Sequence, residues 1–218
     1  MDKIEFLSRT ELFEGSSPEQ IEAMIGCMGS YERWYCGGEY IHRMGDYLST
    51  VGMILEGSVR VENVDVWGNV SVLSVIGAGE MFGEAYAAVP DVPLMVNVVA
   101  AEDTAVLFLN LQKVLTTCSH ACDNHSRTSN NMTAAIARRN LELSRRIFHG
   151  APKTIRGKVL TYLSDESERL GSREFDIPFD RQQLADYLGV DRSALSAELS
   201  RMQKAGLIET KRSHFVLK

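Results

Sequence analysis

The chain has 218 residues, of which 44% are hydrophobic and 24% are charged, and we interpret this length as two modest domains. No apolar run is long enough to span a bilayer, and residues 1–13 lack the core of a signal peptide. We therefore expect a cytoplasmic protein and not a membrane or secreted one. The four cysteines are too few and too unevenly spaced for a secreted disulfide framework.

The net charge of −6 is unusual for a nucleic-acid-binding protein, but the charge is unevenly distributed. Residues 1–150 contain 11 Lys and Arg against 19 Asp and Glu, whereas residues 151–218 contain 12 against 10. From residue 192 to residue 218 the basic residues outnumber the acidic ones by 6 to 2. The acidity belongs to the first domain, and the basic residues gather where contacts with phosphates are expected.

Helix signals give way to strand signals in the first half of the chain. Residues 1–30 are predicted to be helical, with Ser17 and Pro18 as a helix start. From residue 31 to residue 111 short apolar runs are punctuated by glycine, and residues 67–69 predict a hairpin turn. Turn signals at a spacing of roughly eight to twelve residues favour a β-barrel or β-roll over a parallel sheet.

A long helix is predicted from about residue 111 to about residue 148. Its apolar stripe is interrupted by a single arginine and comprises Met132, Ile136, Arg139, Leu143 and Ile147. A helix of this length has little to bury such a stripe against except a second copy of the chain, so we expect a homodimer. The alternative is that the helix folds back on the β-domain of its own chain. Gly150, Ala151 and Pro152 then mark a hinge.

Two short helices joined by a tight turn are predicted over residues 179–204. Leu184 and Leu188 give the first helix an apolar side, and Gly189 supplies the turn. Asp191 is the expected N-cap of the second helix. This pattern is typical of a helix-turn-helix, whose second helix enters the major groove of DNA. Two such units read half-sites ~34 Å apart, which agrees with dimerisation.

The segment after the second helix predicts a wing. Two strand-like runs, residues 205–209 and 214–217, flank a basic tip. Arginine can bind guanine through two hydrogen bonds, and hydroxyl groups can reach phosphates or base edges. The candidate DNA-binding residues are Arg181, Gln182, Arg192, Ser193, Ser196, Arg201, Lys211, Arg212 and Ser213. A helical hairpin that only packs is the alternative.

The order of these elements resembles the cyclic-AMP receptor protein and FNR family of bacterial transcription regulators. The resemblance covers nearly the whole chain, and its most specific motifs are residues 57–61 (GSVRV), 77–84 (GAGEMFGE), 137–140 (ARRN) and 181–202. It implies an α+β fold with a cyclic-nucleotide-binding-like β-roll (a double-stranded β-helix), a long dimerisation helix and a C-terminal winged helix-turn-helix. The expected boundaries are 1–110 for the sensor domain, 111–150 for the dimerisation helix and 151–218 for the DNA-binding domain. Double-stranded DNA, a second copy of the chain and RNA polymerase are the expected partners.

The resemblance also implies an effector pocket, and some of its chemistry has changed in this chain. The Gly-Glu pair that contacts ribose in nucleotide-binding members is present, but Leu94 and Met95 replace the Arg and Ser or Thr that bind the cyclic phosphate. Each missing charge-assisted hydrogen bond is worth ~1.5–3 kcal/mol, so cyclic AMP is not the expected effector. The candidate pocket residues are Gly83, Glu84, Leu94, Met95, Leu143 and Ser144.

Three hypotheses remain for what the first domain senses. The replaced positions are apolar, which favours a small apolar or aromatic effector, or else a filled core in an effector-independent regulator. The third is a redox or metal sensor, because Cys118, Cys122 and His125 fall on one face of a helix and thiolate with imidazole suits a metal. Cysteines on a helix face are more often small buried hydrophobes, so no metal site is assigned.

The DNA-reading helix departs from the family pattern. Ala197 stands where members commonly have Arg, and Ser193 where many have Glu. The loss of one base-reading Arg removes ~1–3 kcal/mol of discrimination, so the preferred DNA site is expected to differ from the family's or to be read less sharply. Glu198 and Arg201 are expected to pair or to face phosphate. No catalytic triad, paired carboxylates or phosphate loop is found, so an enzyme is not expected, and a winged helix that binds protein is the remaining alternative.

Overall fold

The computed structural model describes residues 2–89, 91–115 and 123–218. The chain divides into two compact units after Arg138, and the long helix contributes to both. The predicted α+β fold is confirmed: a β-rich domain is followed by a long helix and a winged helix-turn-helix. The three boundaries expected from the sequence remain predictions. Within the described residues, no helix is both long and apolar enough to cross a membrane.

Three short helical pieces form the N-terminal segment, where the sequence predicts helix over residues 1–30. They are α1 (Lys3–Leu7), a 3₁₀ turn (Glu11–Phe13) and α2 (Pro18–Cys27). The predicted start of α2 is confirmed, because the Ser17 Oγ accepts from the Gln20 amide while the Gln20 Oε1 accepts from the Ser17 amide at 2.8 Å.

Eight strands form the β-roll as two four-stranded antiparallel sheets, in the orders β1-β8-β3-β6 and β2-β7-β4-β5. The strands are β1 (Tyr31–Tyr35), β2 (Tyr40–His42), β3 (Thr50–Glu56), β4 (Ser58–Val64), β5 (Val70–Gly77), β6 (Met81–Phe82), β7 (Asn97–Ala100) and β8 (Thr104–Asn110). Two short helices, α3 (Glu84–Ala88) and α4 (Leu111–Leu115), accompany them. The predicted hairpin joins β4 to β5.

The close approach of β3 to β6 depends on a glycine. A Cβ atom at Gly52 would lie 2.2 Å from the Cζ atom of Phe82, closer than any real contact. The Phe82 ring, which this glycine admits, packs edge-on against Phe108 at 6.3 Å between ring centroids. The pairing of β3 with β6 and the packing of the Phe82 ring therefore both require the glycine at position 52.

The long helix α5 (Asp123–Gly150) uses its apolar stripe in two ways, which corrects the expectation of one continuous dimer stripe. Met132 is fully buried and Ile136 packs beside it in the core of the β-roll. Leu143 and Ile147, further along the same stripe, are 60% and 74% exposed. The helix does fold against its own β-domain, but only along its N-terminal part, because the core it packs against ends there.

The second unit contains the last part of α5, three further helices and a small sheet. The elements after α5 are α6 (Ile155–Leu170), β9 (Glu174–Asp176), α7 (Arg181–Leu188), α8 (Arg192–Lys204), β10 (Ile208–Lys211) and β11 (His214–Leu217), with strand order β10-β11-β9. One core, which includes Leu163, Leu184, Leu195 and Phe215, joins the three helices to the sheet. The predicted helix-turn-helix and wing are thus confirmed.

Candidate DNA-binding surface and effector pocket

Two aspartates and a glycine set the helix-turn-helix geometry. The Asp180 carboxylate accepts from the Gln183 amide at 2.8 Å and begins α7. Gly189 ends α7 with a φ of 60°, which a residue with a side chain adopts at a cost. Asp191 accepts from the Ala194 amide at 2.8 Å and begins α8, as predicted. The hydrogen bond from the Ser193 hydroxyl lowers the pKa of the Asp191 carboxyl, so this cap stays ionised at neutral pH.

A cleft of about 560 Å³ opens between the first turns of α7 and α8 and the tip of the wing. It brings together five of the residues predicted to bind DNA, namely Arg181, Gln182, Arg192, Arg212 and Ser213. Three of these are arginines, whereas Asp180 is the one acidic residue that lines the cleft within the described residues. The cleft therefore carries a positive charge suited to a phosphate backbone.

The Arg181 side chain makes two contacts within its own domain. Its Nη2 donates to the Thr210 Oγ1 at 2.7 Å, and its guanidinium lies 5.1 Å from the centroid of the Phe215 ring. Burial lowers the pKa of this guanidinium, which nevertheless remains a cation at neutral pH. Arg181 thus ties the start of α7 to the wing, while Gln182 on the neighbouring position donates to Asp186 at 2.8 Å.

The middle of the exposed face of α8 carries short side chains, because Ser193, Ser196, Ala197 and Ser200 are all exposed, whereas the longer exposed side chains Arg192, Gln203 and Lys204 lie towards its ends. The Ser196 hydroxyl donates to the Arg192 carbonyl at 2.9 Å, and that of Ser200 donates to the Ser196 carbonyl at 2.9 Å. Their lone pairs remain able to accept from base edges or water. The short side chains let the middle of the helix approach a groove floor closely, and they leave that part without long side chains for base readout.

Arg201 lies at the edge of this face. It lies one turn after Glu198 and donates from Nη1 to the Glu198 Oε2 at 2.6 Å, which confirms the predicted pairing of these residues. Glu198 also accepts from Arg156 on α6, a contact that the sequence does not reveal. Lys158, on the same turn of α6, donates to the Leu188 carbonyl at 2.9 Å and so caps α7. Two basic residues in the first turn of α6 are the only local signal for either contact.

The tip of the wing is a two-residue turn, Arg212 and Ser213, between paired Lys211 and His214. Arg212 has a φ of 56° and is the one non-glycine residue with positive φ in the described part of the chain. A side chain in this region costs ~1–2 kcal/mol relative to the right-handed conformation. Lys211 and Arg212 are exposed there, as a phosphate contact requires.

The predicted effector residues of the first unit lie in unlike environments. Leu94 is 3% exposed and belongs to the core cluster of the β-roll that also contains Leu48. Met95 is 70% exposed, which corrects the expectation that both residues make a pocket apolar. Gly83 begins α3 with a φ of 80°, and Glu84 after it is 7% exposed. Leu94 therefore fills core space of the first unit, whereas Met95 beside it reaches solvent.

The remaining candidate residues for an effector or a metal either belong to the second unit or have side chains that the structure does not describe. Leu143 and Ser144 belong to the second unit and are exposed. Cys118 and Cys122 lie outside the described residues, and the structure describes only the backbone of His125. Among the described residues no group of three metal-binding side chains occurs.

Comparisons with known proteins cover both domains. Residues 32–121 match the cyclic nucleotide-binding domain, and residues 157–218 match the Crp-like helix-turn-helix domain. The cyclic AMP receptor protein of Thermus thermophilus is 26% identical over 201 residues, which cover 90% of this chain and 87% of that protein.

Solved structures share the fold over nearly the whole chain. The catabolite activator protein of Thermus thermophilus matches 96% of this chain and 94% of its own, with 24% identity and a TM-score of 0.53. The c-di-GMP responsive global regulator CLP of Xanthomonas campestris matches 92% of this chain and 99% of its own, with 20% identity and a TM-score of 0.53. With its cyclic nucleotide-binding domain and its Crp-like helix-turn-helix, the chain belongs to the cyclic-AMP receptor protein and FNR family, whose members are transcription regulators and not enzymes.

Proposed function

We propose that this protein is a homodimeric, sequence-specific regulator that binds double-stranded DNA through α7, α8 and the wing, and that its first domain responds to a small effector other than cyclic AMP. The observation that carries the DNA-binding part is the arginine-lined cleft, because it gathers Arg181, Arg192 and Arg212 beside the helix that enters a groove. As a regulator of transcription, it would act together with RNA polymerase.

Four large apolar side chains near the end of α5 support the homodimer. Leu141, Leu143, Ile147 and Phe148 are 62%, 60%, 74% and 59% exposed. Water-exposed apolar groups at this density on one helix are typical of a surface that a partner covers. A second copy of the chain is the occupant that fits, since it would also supply the second helix-turn-helix needed to read two half-sites.

Sedimentation velocity of the wild type and of Leu141→Glu and Ile147→Glu tests the dimer. Each charge is expected to shift the equilibrium towards monomer. Leu170→Glu, at an apolar position that is 45% exposed at the end of α6, is the matched control and should remain dimeric. A wild type that is monomeric at all concentrations would overturn the homodimer.

The buried Leu94 supports an effector other than cyclic AMP. A relative named as a cyclic AMP receptor protein and one described as c-di-GMP responsive bind nucleotides according to their names. The resemblance places Leu94 and Met95 where nucleotide-binding members hold the cyclic phosphate, and in this chain Leu94 is packed into the core of the first unit. A second candidate, favoured by the same observation, is an effector-independent regulator whose sensor core is filled.

Selection of bound sequences from a random duplex pool tests the function as a whole. It is run at two salt concentrations, with and without a fraction of cell-extract metabolites, using the wild type and Arg192→Ala. The wild type should enrich a pseudo-palindrome, and Arg192→Ala should relax the preference at one base pair while the dimer persists. Enrichment only with the extract would establish an effector, whereas equal enrichment without it would favour the effector-independent candidate.

Failure to enrich any sequence at either salt concentration would contradict DNA binding and would favour a winged helix that binds protein. Arg173→Ala is the control for the arginine variant, because Arg173 is exposed but does not line the cleft. Its selected sequence should equal that of the wild type.

A further inference from the structure

A buried carboxylate on the DNA-reading helix joins two arginines from different helices. The Glu198 side chain is 9% exposed. Its Oε1 accepts from the Arg156 Nε at 2.7 Å, and its Oε2 accepts from the Arg201 Nη1 at 2.6 Å. Arg156 comes from the first turn of α6 and Arg201 from α8 itself, so this cluster links the two helices.

The cluster carries a net positive charge and is open to solvent on its cationic side. One carboxylate balances only one of the two guanidinium groups. The side chains of Arg156 and Arg201 are 45% and 65% exposed, whereas the carboxylate is buried. Each guanidinium has five N–H donors and donates one of them to Glu198 in the described contacts, so donors remain for an anion.

The cluster and the arginine-lined cleft lie at different places along and around α8. At 3.6 residues per turn, Ser193, Ser196 and Ser200 share the exposed face of the helix, and Glu198 with Arg201 falls on the flank that packs towards α6. The cleft with Arg192 adjoins the first turn of α8 and the wing. A helix in the major groove has a phosphate backbone on each side, and the groove is ~12 Å wide.

We propose that Arg156 and Arg201, held by the Glu198 carboxylate, form a phosphate-binding pair on the α6 side of the reading helix. Arg156 is then a DNA contact outside the helix-turn-helix, and Glu198 is the positioning residue that fixes both guanidinium groups before DNA arrives. Their planar donors suit the oxygens of a phosphodiester, and a pre-fixed side chain loses less entropy on binding. This inference rests on the proposed DNA-binding function.

The test is the salt dependence of binding by the full-length protein. Fluorescence anisotropy is measured with the selected duplex and with a duplex of random sequence, between about 50 and 200 mM salt. Arg156→Met should flatten the slope of log K against log salt by ~0.9 for each phosphate that the variant no longer neutralises, or about twice that for a dimer. Both duplexes should be affected alike, because a phosphate contact carries no sequence information.

Two further variants separate a contact from a structural role. Arg156→Lys keeps the charge and should restore most of the slope. Arg169→Met is the matched control, since Arg169 is also on α6, is 46% exposed and donates to the mostly buried Glu166 at 2.6 Å. Its slope should equal that of the wild type. Glu198→Gln, which removes the fixing charge, should weaken binding to both duplexes.

The possible results distinguish the contact from the proposed function. A wild-type slope in Arg156→Met, with or without a uniform loss of affinity, would overturn the phosphate contact and leave Arg156 as a residue that only orients α8. Absence of binding by the wild type itself would instead contradict the proposed function. If Arg156→Met is unfolded by circular dichroism, the slopes of Arg156→Lys and Arg156→Gln are compared instead, and equal slopes in these two variants would overturn the contact.

Discussion

The Nδ1 atom of His149 lies 2.8 Å from the hydroxyl oxygen of Tyr187, and this hydrogen bond joins the last turn of α5 to the first helix of the helix-turn-helix. His149 is 2% exposed, and its Nε2 lies 3.2 Å from the Asp165 carboxylate on α6. Burial raises the pKa of the Tyr187 hydroxyl, so it stays protonated at neutral pH. Three helices of the second unit therefore meet at one buried imidazole.

Tyr187→Phe should destabilise the second unit. The variant keeps the ring but leaves the buried Nδ1 without its partner, which costs about 1–3 kcal/mol. Urea unfolding followed by circular dichroism measures the difference in free energy of unfolding. Tyr47→Phe, at a position that is 65% exposed, is the control and should change nothing. Equal stability of the wild type and Tyr187→Phe would show that the hydrogen bond contributes no net free energy.

Arg212→Gly should separate stability from DNA binding. Glycine adopts the φ of 56° without strain, so the wing should gain up to about 1 kcal/mol of stability. The variant loses a cation at the wing tip, so DNA binding should weaken and its salt slope should flatten. Thermal unfolding and anisotropy titrations of the same preparation measure both quantities.

An increase in both stability and affinity would contradict a phosphate contact by Arg212. Lys211→Gly is the informative comparison, because Lys211 lies at the end of β10 and does not have positive φ. It should lose affinity without any gain in stability.

The two replaced phosphate-binding positions should respond differently to substitution. Leu94→Arg places a charge in a site that is 3% exposed and should cost several kcal/mol, whereas Met95→Ser at 70% exposure should be nearly neutral. In the double variant, a cyclic nucleotide would supply the missing counter-charge, so millimolar cyclic AMP should raise its melting temperature.

Differential scanning fluorimetry with and without cyclic AMP measures this shift. The wild type should show none. Leu94→Ala, which should cost about 2–5 kcal/mol through its cavity, controls for destabilisation without charge. Failure of cyclic AMP to stabilise a folded double variant would mean that the pocket differs from the family's beyond these two positions.

Local signals in the sequence predicted the second unit well. The predicted cap at Asp191 and the predicted turn at Gly189 depend on residues no more than four positions away, so their geometry follows from the local sequence. The wing could be predicted for the same reason, since its two strands pair across a two-residue turn.

Contacts between distant residues could not be predicted in this way. Arg156 and Glu198 are 42 positions apart, and no spacing rule connects them. The division of the α5 stripe between Met132, which is buried, and Ile147, which is exposed, depends on where the β-roll core ends. Leu94 and Met95 are neighbours with the same apolar character, and only the packing of the roll buries one and exposes the other.

His42 should make the first domain less stable in mild acid. Its ring packs edge-on against Phe82 and Phe108, at 6.1 and 5.9 Å between ring centroids. This burial lowers the pKa of the imidazole, although the charge of Asp46 acts in the opposite direction. The unfolded chain therefore binds a proton at His42 near pH ~6.5, while the folded chain does so only at lower pH.

The stability that depends on His42 is consequently present above that pH and is lost as the pH falls from about 6.5 towards the lower pKa of the folded state. His42→Gln should have a flatter dependence of unfolding free energy on pH across this range. Hydrogen exchange of peptides from β2 and β7, measured at pH values on both sides of about 6.5 and corrected for the intrinsic rate, follows this domain specifically. His214→Gln, on the wing, is the matched control, and β2 and β7 should keep the wild-type pH dependence in that variant. An unchanged pH dependence in His42→Gln would show that the imidazole is protonated equally in the folded and unfolded chains.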